Sequence, residues 1–481
     1  MHPSSTTREP TPALVIIGHG MAAQKLLEQL VSLSPDQQLP WPVTVIGEEP
    51  HLPYNRIQLS PLLAGETRTE GLISQQADWF SRHGITRISG DPVSQIDRAA
   101  RCVETASGGR IPYQRLVIAT GSRPALPLPL PAHLPAHLPE ASSANDWPPG
   151  LMGFRDLKDV EQMQAACLAG RHEGAGALVI GGGLLGLEAA EGLRKGGLEV
   201  TLLQRSERLM NRQLDEVAAE LLERELRGRG LDIITGAHLE EWLESPAGRI
   251  SGVRLEDGRE LHAGLTIAAT GIRPEIELAR AAGLACQRAI QVDGHLLTSD
   301  PHIHALGECC EVDGETFGLI EPIWAQIEAL ARQLLAQPTP PYRNAPLATR
   351  LKVSGIDLYS CGELAPQPND EVLVYQDHAL GDYRRLLLRE ERLVGVVLYG
   401  DVSAGNALFE ALKAGTPLTR IREDLLLMPA EALAGLTQDG PPTAPDDPSG
   451  KPGTQDMTDQ HRDRDTTDKT DNTPDTFEEA A

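Results

Sequence analysis

Residues 176–205, GALVIGGGLLGLEAAEGLRKGGLEVTLLQR, contain the most informative pattern for predicting the fold. A short apolar run predicts a strand, the turn Gly181-x-Gly183-x-x-Gly186 follows it, and a helical pattern leads to a second apolar run. In this context G-x-G-x-x-G predicts a dinucleotide-binding turn. The first glycine makes the tight turn, the second lets a pyrophosphate approach the backbone, and the third permits close helix–strand packing. The helix N-terminus then faces the phosphate charge.

The strand that closes this unit ends at Gln204, where an NAD-specific site usually carries an acid that bonds the ribose 2′-hydroxyl. Gln204 is neutral and is followed by Arg205 and Arg208, so a 2′-phosphate would meet no repulsion. The sequence therefore leaves NADH and NADPH open, with Arg205 as a candidate nucleotide contact.

A second copy of the pattern lies near the N-terminus, in residues 13–30, ALVIIGHGMAAQKLLEQL. Its turn reads Gly18-x-Gly20-x-x-Ala23, in which alanine takes the third position and still permits close packing. Two copies of the pattern predict two dinucleotides bound in separate domains.

The strand that follows the first turn ends in VTVIGEE, residues 43–49. Glu48 is the candidate for holding a ribose hydroxyl, and Glu49 is the neighbour that could replace it. The spacing from the turn is longer than the usual ~20 residues, because a loop is inserted before this strand.

Two further segments, 116–124 (LVIATGSRP) and 265–274 (LTIAATGIRP), repeat each other. Each is a predicted strand ending in A-T-G-x-R-P, and we interpret both as crossings between the nucleotide domains. Thr120, Gly121 and Gly271 in these crossings are candidate cofactor contacts.

The composition limits the class of protein. The chain has 481 residues and a net charge of −25, which argues against nucleic acid and anionic membranes as partners. It has no apolar run of about 18 residues that would span a bilayer and no secretory signal, so we expect a cytoplasmic protein. Residues 441–481 carry eleven acidic and four basic side chains, which predicts disorder.

The six cysteines include the adjacent pair Cys309–Cys310, and none has C-x-x-C spacing. This pattern predicts no disulfide framework and no metal site. A disulfide between adjacent residues would be strained, because their α-carbons are only about 3.8 Å apart. We therefore interpret the pair as packing residues, with a redox role as the alternative.

The order of these motifs resembles the pyridine-nucleotide:flavin oxidoreductases with two Rossmann-type domains. The chain is similar in particular to the flavoprotein part of assimilatory nitrite reductase and to the electron-transfer subunit of assimilatory nitrate reductase. The resemblance covers roughly residues 13–430. Its closer matches are GEEPHLPYNRIQLSPLLAGE (47–66), GFRDLKDVEQM (153–163), RLMNRQLDEVAAELLERELRGRGL (208–231) and LGECCEVDGETFGLIEPIWAQ (306–326).

The resemblance implies an α/β fold with two Rossmann-like domains, one for FAD and one for NAD(P)H, a small α+β C-terminal domain and a disordered acidic tail. In the family the C-terminal domain packs on the FAD domain. The predicted segments are 13–120 with 265–330 for FAD, 121–150 as a Pro-rich linker, 151–264 for NAD(P)H, 345–430 for the C-terminal domain and 431–481 for the tail.

The resemblance also implies roles for single residues. In the family the position of Glu308, after Gly307, usually holds an aspartate that bonds the ribityl chain of FAD. Arg56 would lie beside the flavin and Trp324 would cap it. Glu188 corresponds to a family residue close to the nicotinamide.

The implied activity is transfer of electrons from NAD(P)H through FAD to a redox partner protein in nitrate or nitrite assimilation. No catalytic acid or base is required, and the segment PYNRIQLSPLLAG lacks the cysteines of the disulfide reductases. Because the chain has no cysteine after Cys361 for cluster or siroheme domains, we expect it to supply a nitrate- or nitrite-reducing partner or a small iron–sulfur protein. The alternatives are a rubredoxin- or ferredoxin-type reductase and a flavin-bound interaction protein.

Overall fold

The structure is a computed structural model that describes most of the chain. The residues described are 13–131, 147–173, 176–353, 355–422 and 424–438. Residues up to Gly435 belong to one compact unit, and the second unit begins at Leu436. Within the described ranges, no helix has the length and apolar character needed to cross a bilayer.

The strands and helices are numbered in chain order. The strands are β1 Leu14–Ile17, β2 Val43–Gly47, β3 Ile85–Ser89, β4 Val93–Asp97, β5 Cys102–Thr105, β6 Arg110–Pro112, β7 Arg115–Ile118, β8 Ser122–Pro124, β9 Leu151–Met152, β10 Ala177–Ile180, β11 Val200–Leu203, β12 Asp232–Ile234, β13 Leu239–Glu244, β14 Ile250–Leu255, β15 Glu260–His262, β16 Leu265–Ala268, β17 Ile272–Pro274, β18 Ile290–Val292, β19 Ile303–Ala305, β20 Cys310–Val312, β21 Glu315–Thr316, β22 Ala348–Val353, β23 Ile356–Gly362, β24 Glu371–Asp377, β25 Asp382–Arg389 and β26 Arg392–Tyr399. The helices are α1 Met21–Leu33, α2 Leu59–Leu63, α3 Ala77–Arg82, α4 Leu157–Glu173, α5 Leu184–Lys195, α6 Glu216–Gly228, α7 Glu277–Ala281, α8 Ile320–Leu334, α9 Gly405–Ala414 and α10 Pro429–Gln438.

The first sheet is parallel, in the order β19-β7-β1-β2-β3. All four residues of β1 are buried, as expected for a strand covered on both faces. Helix α1 buries Ala23, Leu26, Leu27 and Leu30, whose spacing of three and four residues forms one apolar face. This helix and α8 pack together on the sheet.

The second sheet is also parallel, in the order β12-β11-β10-β16-β9. Strand β10 is buried along its whole length and lies between β11 and β16. A parallel strand in the middle of a sheet, followed at once by a helix, brings the turn between them to the carboxyl edge of the sheet, where ligands of such sheets bind.

An antiparallel ribbon of β8 and β17 joins the two sheets. The two crossings support each other through reciprocal bonds: Thr120 Oγ1 donates to the Glu275 carbonyl and Thr270 Oγ1 to the Ala125 carbonyl, both at 2.8 Å. The repeated A-T-G motifs therefore form one paired connection between the two sheets.

The C-terminal sheet is antiparallel, in the order β22-β23-β26-β25-β24, with α9 packed against it. Its core side chains are continuous with those of the second sheet's helices: Tyr383, Val397 and Tyr399 share one apolar cluster with Leu222 and Leu226 of α6. The same cluster also contains Leu59, Leu62 and Leu63 of α2, in the segment predicted for FAD, so the packing on the FAD domain that the resemblance implied stays a prediction.

Three segment predictions differ from the structure. The segment predicted for FAD, 265–330, begins with β16, but this strand pairs with β10 and β9 in the second sheet, so the boundary lies after it. The predicted linker 121–150 contains β8, and Leu126, Leu128 and Leu130 pack on the cluster around Trp242, so its first part is structured. Helix α10 continues to Gln438, into the segment that we predicted as tail. The remainder of these predictions, residues 132–146 and 439–481, lies outside the described residues.

Candidate functional site

The first glycine turn lies between β1 and α1. Gly18 has φ +95°, and a β-carbon there would be 2.2 Å from the Ala119 carbonyl oxygen, so only glycine fits. Gly20 precedes α1, and a β-carbon there would have Arg56 Nε, at 4.0 Å, as its nearest neighbour. Ala23 is fully buried. The backbone is thus open to a ligand at Gly20, next to the arginine that the sequence singled out.

The second turn repeats this arrangement between β10 and α5. Gly181 has φ +121° and lies against the Ala269 carbonyl, while a β-carbon at Gly186 would be only 1.8 Å from the Gly181 oxygen. Gly183 precedes α5 and faces open space. A helix N-terminus with an uncovered backbone is suited to a pyrophosphate.

Arg56 belongs to a half-buried polar cluster beside the first turn. Its Nη1 donates to the Arg155 carbonyl at 3.0 Å, and its Nη2 pairs with the Glu49 carboxylate. The Tyr54 hydroxyl donates to the same carboxylate at 2.7 Å. The arginine side chain is 25% exposed, so a cation fixed by these contacts remains accessible beside Gly20.

Glu308 lies in the same region. Gly307, with φ +85°, places its α-carbon against Ala22 at the start of α1, where a β-carbon would be 3.5 Å away. The Glu308 carboxylate accepts from Ser122 Oγ at 2.8 Å and from Arg155 Nη2 at 2.5 Å. Gly121 borders this pair, since a β-carbon there would lie 3.5 Å from Arg155 Nη2.

Sequence reasoning missed Arg155 and Ser122. Arg155 lies in the segment GFRDLKDVEQM quoted above, and its positive charge could have marked it as a partner for a carboxylate. That carboxylate, Glu308, is 153 residues away in the sequence. Ser122 follows the A-T-G motif directly, yet a serine at a strand start carries no specific signal.

Glu48 lies apart from this cluster. Arg123 Nη2 donates to its carboxylate at 2.7 Å, and Arg123 Nε also bonds Glu275 at 2.9 Å. The Glu48 side chain is 38% exposed at the carboxyl end of β2. Glu48 therefore occupies the predicted position after the strand, and its carboxylate is paired with Arg123 of the β8–β17 ribbon.

Glu188 connects the second turn to the segment that carries Arg56. Ser60 Oγ on α2 donates to the Glu188 carboxylate on α5 at 2.6 Å. The helices pack closely, because a β-carbon at Gly192 would lie 2.7 Å from Leu63. Burial raises the pKa of Glu188, although the Ser60 hydrogen bond opposes this in part.

The other predicted contacts are spread around the two turns. Trp324, on α8, is half-buried against the core of the first sheet. Gly271 has φ +119° and open space where a side chain would point. Arg205 is exposed after β11.

Cys309 and Cys310 are free, fully buried thiols. Their sulfurs lie 3.3 Å from the carbonyls of Leu306 and Gly307, respectively, and burial raises the pKa of both. A thiol that resists ionisation is a poor nucleophile. The geometry agrees with packing residues beside the Gly307 turn. In the described part of the chain, no group of three metal-ligating side chains occurs.

The residues present fit the two cofactors that the turns suggest. Gly20 and Gly183 leave the backbone open at the N-termini of helices of 13 and 12 residues. In addition, Arg155 Nε is buried and has no hydrogen-bond partner among the described residues, so a donor beside Glu308 is left for a ligand acceptor.

Comparison with known proteins agrees with this arrangement. Residues 12–330 match the family described as pyridine nucleotide-disulphide oxidoreductase, and residues 348–416 match the rubredoxin NAD+ reductase C-terminal domain. Among solved structures, the covalent putidaredoxin reductase–putidaredoxin complex is similar, with a TM-score of 0.71 and 27% identity over 85% of this chain and 94% of that chain.

Three curated relatives share about a third of their residues with this chain. Nitrite reductase [NAD(P)H] of Bacillus subtilis is 35% identical over 425 residues, or 88% of this chain and 50% of that protein. The assimilatory nitrate reductase electron transfer subunit of B. subtilis is 35% identical over 406 residues, 83% of this chain and 49% of the relative. The chain thus spans about half the length of these two. The nitric oxide reductase FlRd-NAD(+) reductase of Aeromonas salmonicida is 32% identical, covering 83% of this chain and 96% of the relative.

These findings confirm the predicted resemblance, the fold class and the two cofactors. With two glycine turns at two parallel sheets, the paired ribbon between them and a rubredoxin reductase-type C-terminal sheet, the chain belongs to the pyridine nucleotide-disulphide oxidoreductase family as an FAD- and NAD(P)H-binding reductase.

Proposed function

We propose that this chain takes electrons from NAD(P)H through bound FAD and delivers them to a redox partner protein in nitrate or nitrite assimilation. The observation that carries the proposal is the pair of open glycine turns, Gly20 and Gly183, linked by the contact of Ser60 with Glu188. Two nucleotide cradles joined through packed helices suit a direct transfer between two cofactors.

In this proposal the residues of the chain bind and orient. The FAD contacts are Gly18, Gly20, Ala23, Glu48, Arg56, Thr120, Gly121, Gly307, Glu308 and Trp324, with Arg155 added. The nucleotide contacts are Gly181, Gly183, Gly186, Glu188, Arg205 and Gly271, which follows β16 of the second sheet. When bound, FAD supplies the redox chemistry, since it accepts a hydride and releases electrons singly or as a pair.

Charge supports the assignment of Arg56 and Arg155. A cation near the flavin stabilises added negative charge, and Arg56 is held by Glu49 while it borders Gly20. Arg155 keeps one buried donor unpaired beside Glu308. Neither residue needs to exchange a proton, so the proposal includes no catalytic acid or base.

The kind of redox partner that we propose is inferred from the names of the curated relatives. Two of them are named for nitrite reduction and for electron transfer in assimilatory nitrate reductase. We propose a protein acceptor of this kind and a cytoplasmic location, because all six cysteines are free thiols, as in a reducing compartment.

A rubredoxin-type acceptor is the second candidate. One observation favours it: residues 348–416 match the rubredoxin NAD+ reductase C-terminal domain. A flavin-bound interaction protein is a third reading, for which negligible turnover with an artificial acceptor would be the sign.

An anaerobic titration tests the proposal. Purified protein is mixed with NADH and, separately, NADPH while the flavin absorbance is followed. We expect bleaching at one equivalent of reductant per FAD, followed by recovery when a nitrate- or nitrite-reducing partner or a rubredoxin is added. Flavin that stays oxidised with both nucleotides would contradict the proposal, and recovery with rubredoxin alone would favour the second candidate.

A further inference from the structure

The loop after β11 is tied to the second glycine turn at both ends. The Gly182 amide donates to Gln204 Oε1 at 2.8 Å, and the Met210 amide donates to the Gly182 carbonyl at 2.9 Å. Between these two bonds runs the segment 205–209, whose Leu209 side chain packs over Gly182. The loop therefore borders the N-terminus of α5, where the ribose next to a bound pyrophosphate would lie.

The carboxamide of Gln204 has its groups engaged within the loop. Its oxygen accepts from Gly182, and its nitrogen donates to Ser206 Oγ and to the Arg208 carbonyl. An acid at this strand end would bond the 2′-hydroxyl of NAD and repel a 2′-phosphate. Gln204 is neutral, so it neither binds the 2′-hydroxyl as a carboxylate does nor repels a 2′-phosphate.

The loop carries two arginines, Arg205 and Arg208. Arg205 is exposed, and Arg208 has a buried Nε with no partner among the described residues. Arginine suits a phosphate because it can donate two parallel hydrogen bonds. Ser206 follows Arg205 in the sequence, and its hydroxyl donates to the Arg208 carbonyl at 3.0 Å.

The one acid of the loop, Glu207, faces away from the glycine turn. A β-carbon at Gly236 would lie 3.1 and 3.2 Å from its two carboxylate oxygens, and the Gly236 amide donates to the Ser206 carbonyl at 3.1 Å. Gly236 follows β12, which borders β11 on the side opposite to β10. The sheet order thus separates this carboxylate from the turn after β10.

We infer that Arg205 and Arg208 form a site for the 2′-phosphate of NADPH, so that this reductase uses NADPH in preference to NADH. The inference rests on the proposed function and specifies its electron donor. Gln204 determines the preference by its lack of charge.

Binding without turnover tests the inference. Adenosine 2′,5′-bisphosphate and 5′-AMP differ only in the 2′-phosphate, and their affinities for the oxidised, FAD-loaded protein are measured by calorimetry, together with those of NADP+ and NAD+. We expect the bisphosphate to bind at least ~10-fold more tightly than 5′-AMP, the effect of about one charge-assisted contact. The double variant Arg205→Ala/Arg208→Ala should lose this difference while its NAD+ affinity changes less than ~3-fold.

Two further variants complete the design. Gln204→Glu should weaken NADP+ and strengthen NAD+, whereas Arg224→Ala, an exposed arginine on α6, should leave both unchanged. Equal binding of bisphosphate and 5′-AMP by the parent, or discrimination that survives in the double variant, would overturn the inference and leave the proposed function standing. Failure of the FAD-loaded parent to bind either full-length nucleotide would overturn both.

Discussion

At the scale of single residues, Gly183 and Gly186 differ in their surroundings. A β-carbon at Gly186 would collide with the Gly181 carbonyl, but one at Gly183 would meet no atom within 4 Å, and its φ of −88° suits any residue. Gly183→Val should therefore fold with FAD bound and lose nucleotide affinity by ~100-fold or more, because its methyl groups fill the path of the pyrophosphate. Calorimetry with NADP+ and the flavin absorbance spectrum are the measurements.

The control is Gly228→Val on α6, where a β-carbon also meets nothing within 4 Å. It should keep both the spectrum and the affinity. If Gly183→Val bound the nucleotide as the parent does, the assignment of this turn would be wrong.

Glu188 gives a prediction about pH. Burial raises its pKa above the usual 4.5, so the folded protein holds this proton more tightly than the unfolded chain does. Ionisation then destabilises the fold as the pH rises from the unfolded-state pKa through the folded-state pKa. Glu188→Gln removes this effect and keeps an acceptor for Ser60.

Urea unfolding of parent and Glu188→Gln at pH 4, 6 and 8 provides the test. The free energy of unfolding of the variant relative to the parent should increase from pH 4 to pH 8. A difference that is constant or decreases with pH would show that burial does not control this carboxyl group.

At the scale of elements, helix α4 starts with a reciprocal capping box. Asp156 Oδ1 accepts from the Asp159 amide at 2.9 Å, and Asp159 Oδ2 accepts from the Asp156 amide at 3.3 Å. Asp159 Oδ2 also accepts from the Arg155 amide at 2.7 Å. Asp156→Ala should lower the free energy of unfolding by about 1 kcal/mol, since it removes a helix cap.

Urea denaturation measures this change, and Asp156→Ser is the matched control, because serine caps helices about as well as aspartate. The serine variant should recover most of the loss. Equal destabilisation by alanine and serine would show that the negative charge, rather than the cap, is what matters.

At the scale of the whole molecule, one hydrogen bond ties the C-terminal sheet to α6. The Tyr383 hydroxyl donates to Asp215 Oδ2 at 2.5 Å, Arg385 Nε lies 3.9 Å from the same oxygen, and Asp215 Oδ1 is buried without a partner in the described residues. Tyr383→Phe should lower the free energy of unfolding by about 1–2 kcal/mol, because it leaves a buried carboxylate poorly satisfied.

Chemical denaturation and hydrogen exchange in β25 and α6 measure the effect. Tyr375→Phe is the control on the neighbouring strand, where the ring under Arg384 would be kept. An equal, small change in both variants would mean that the Asp215 contact does not hold the sheet.

Features of the fold could be predicted where the interacting residues lie close together in the sequence. The sequence was sufficient for the two glycine turns, the buried parallel strands and the repeated A-T-G crossings, since each depends on residues within one strand–turn–helix unit. The glycines at positions 18 and 181 could be identified because backbone geometry leaves no other residue type possible there.

The family, the fold class and the positions of both glycine turns can thus be inferred from local patterns in the chain. Which residues meet beside these turns depends on the tertiary fold. Arg155 and Ser122 meet Glu308 across more than 150 residues, the first part of the Pro-rich segment packs beside Trp242, and the C-terminal sheet joins the core of α6. These contacts depend on how separate elements pack, and local patterns do not encode the shape of a distant partner.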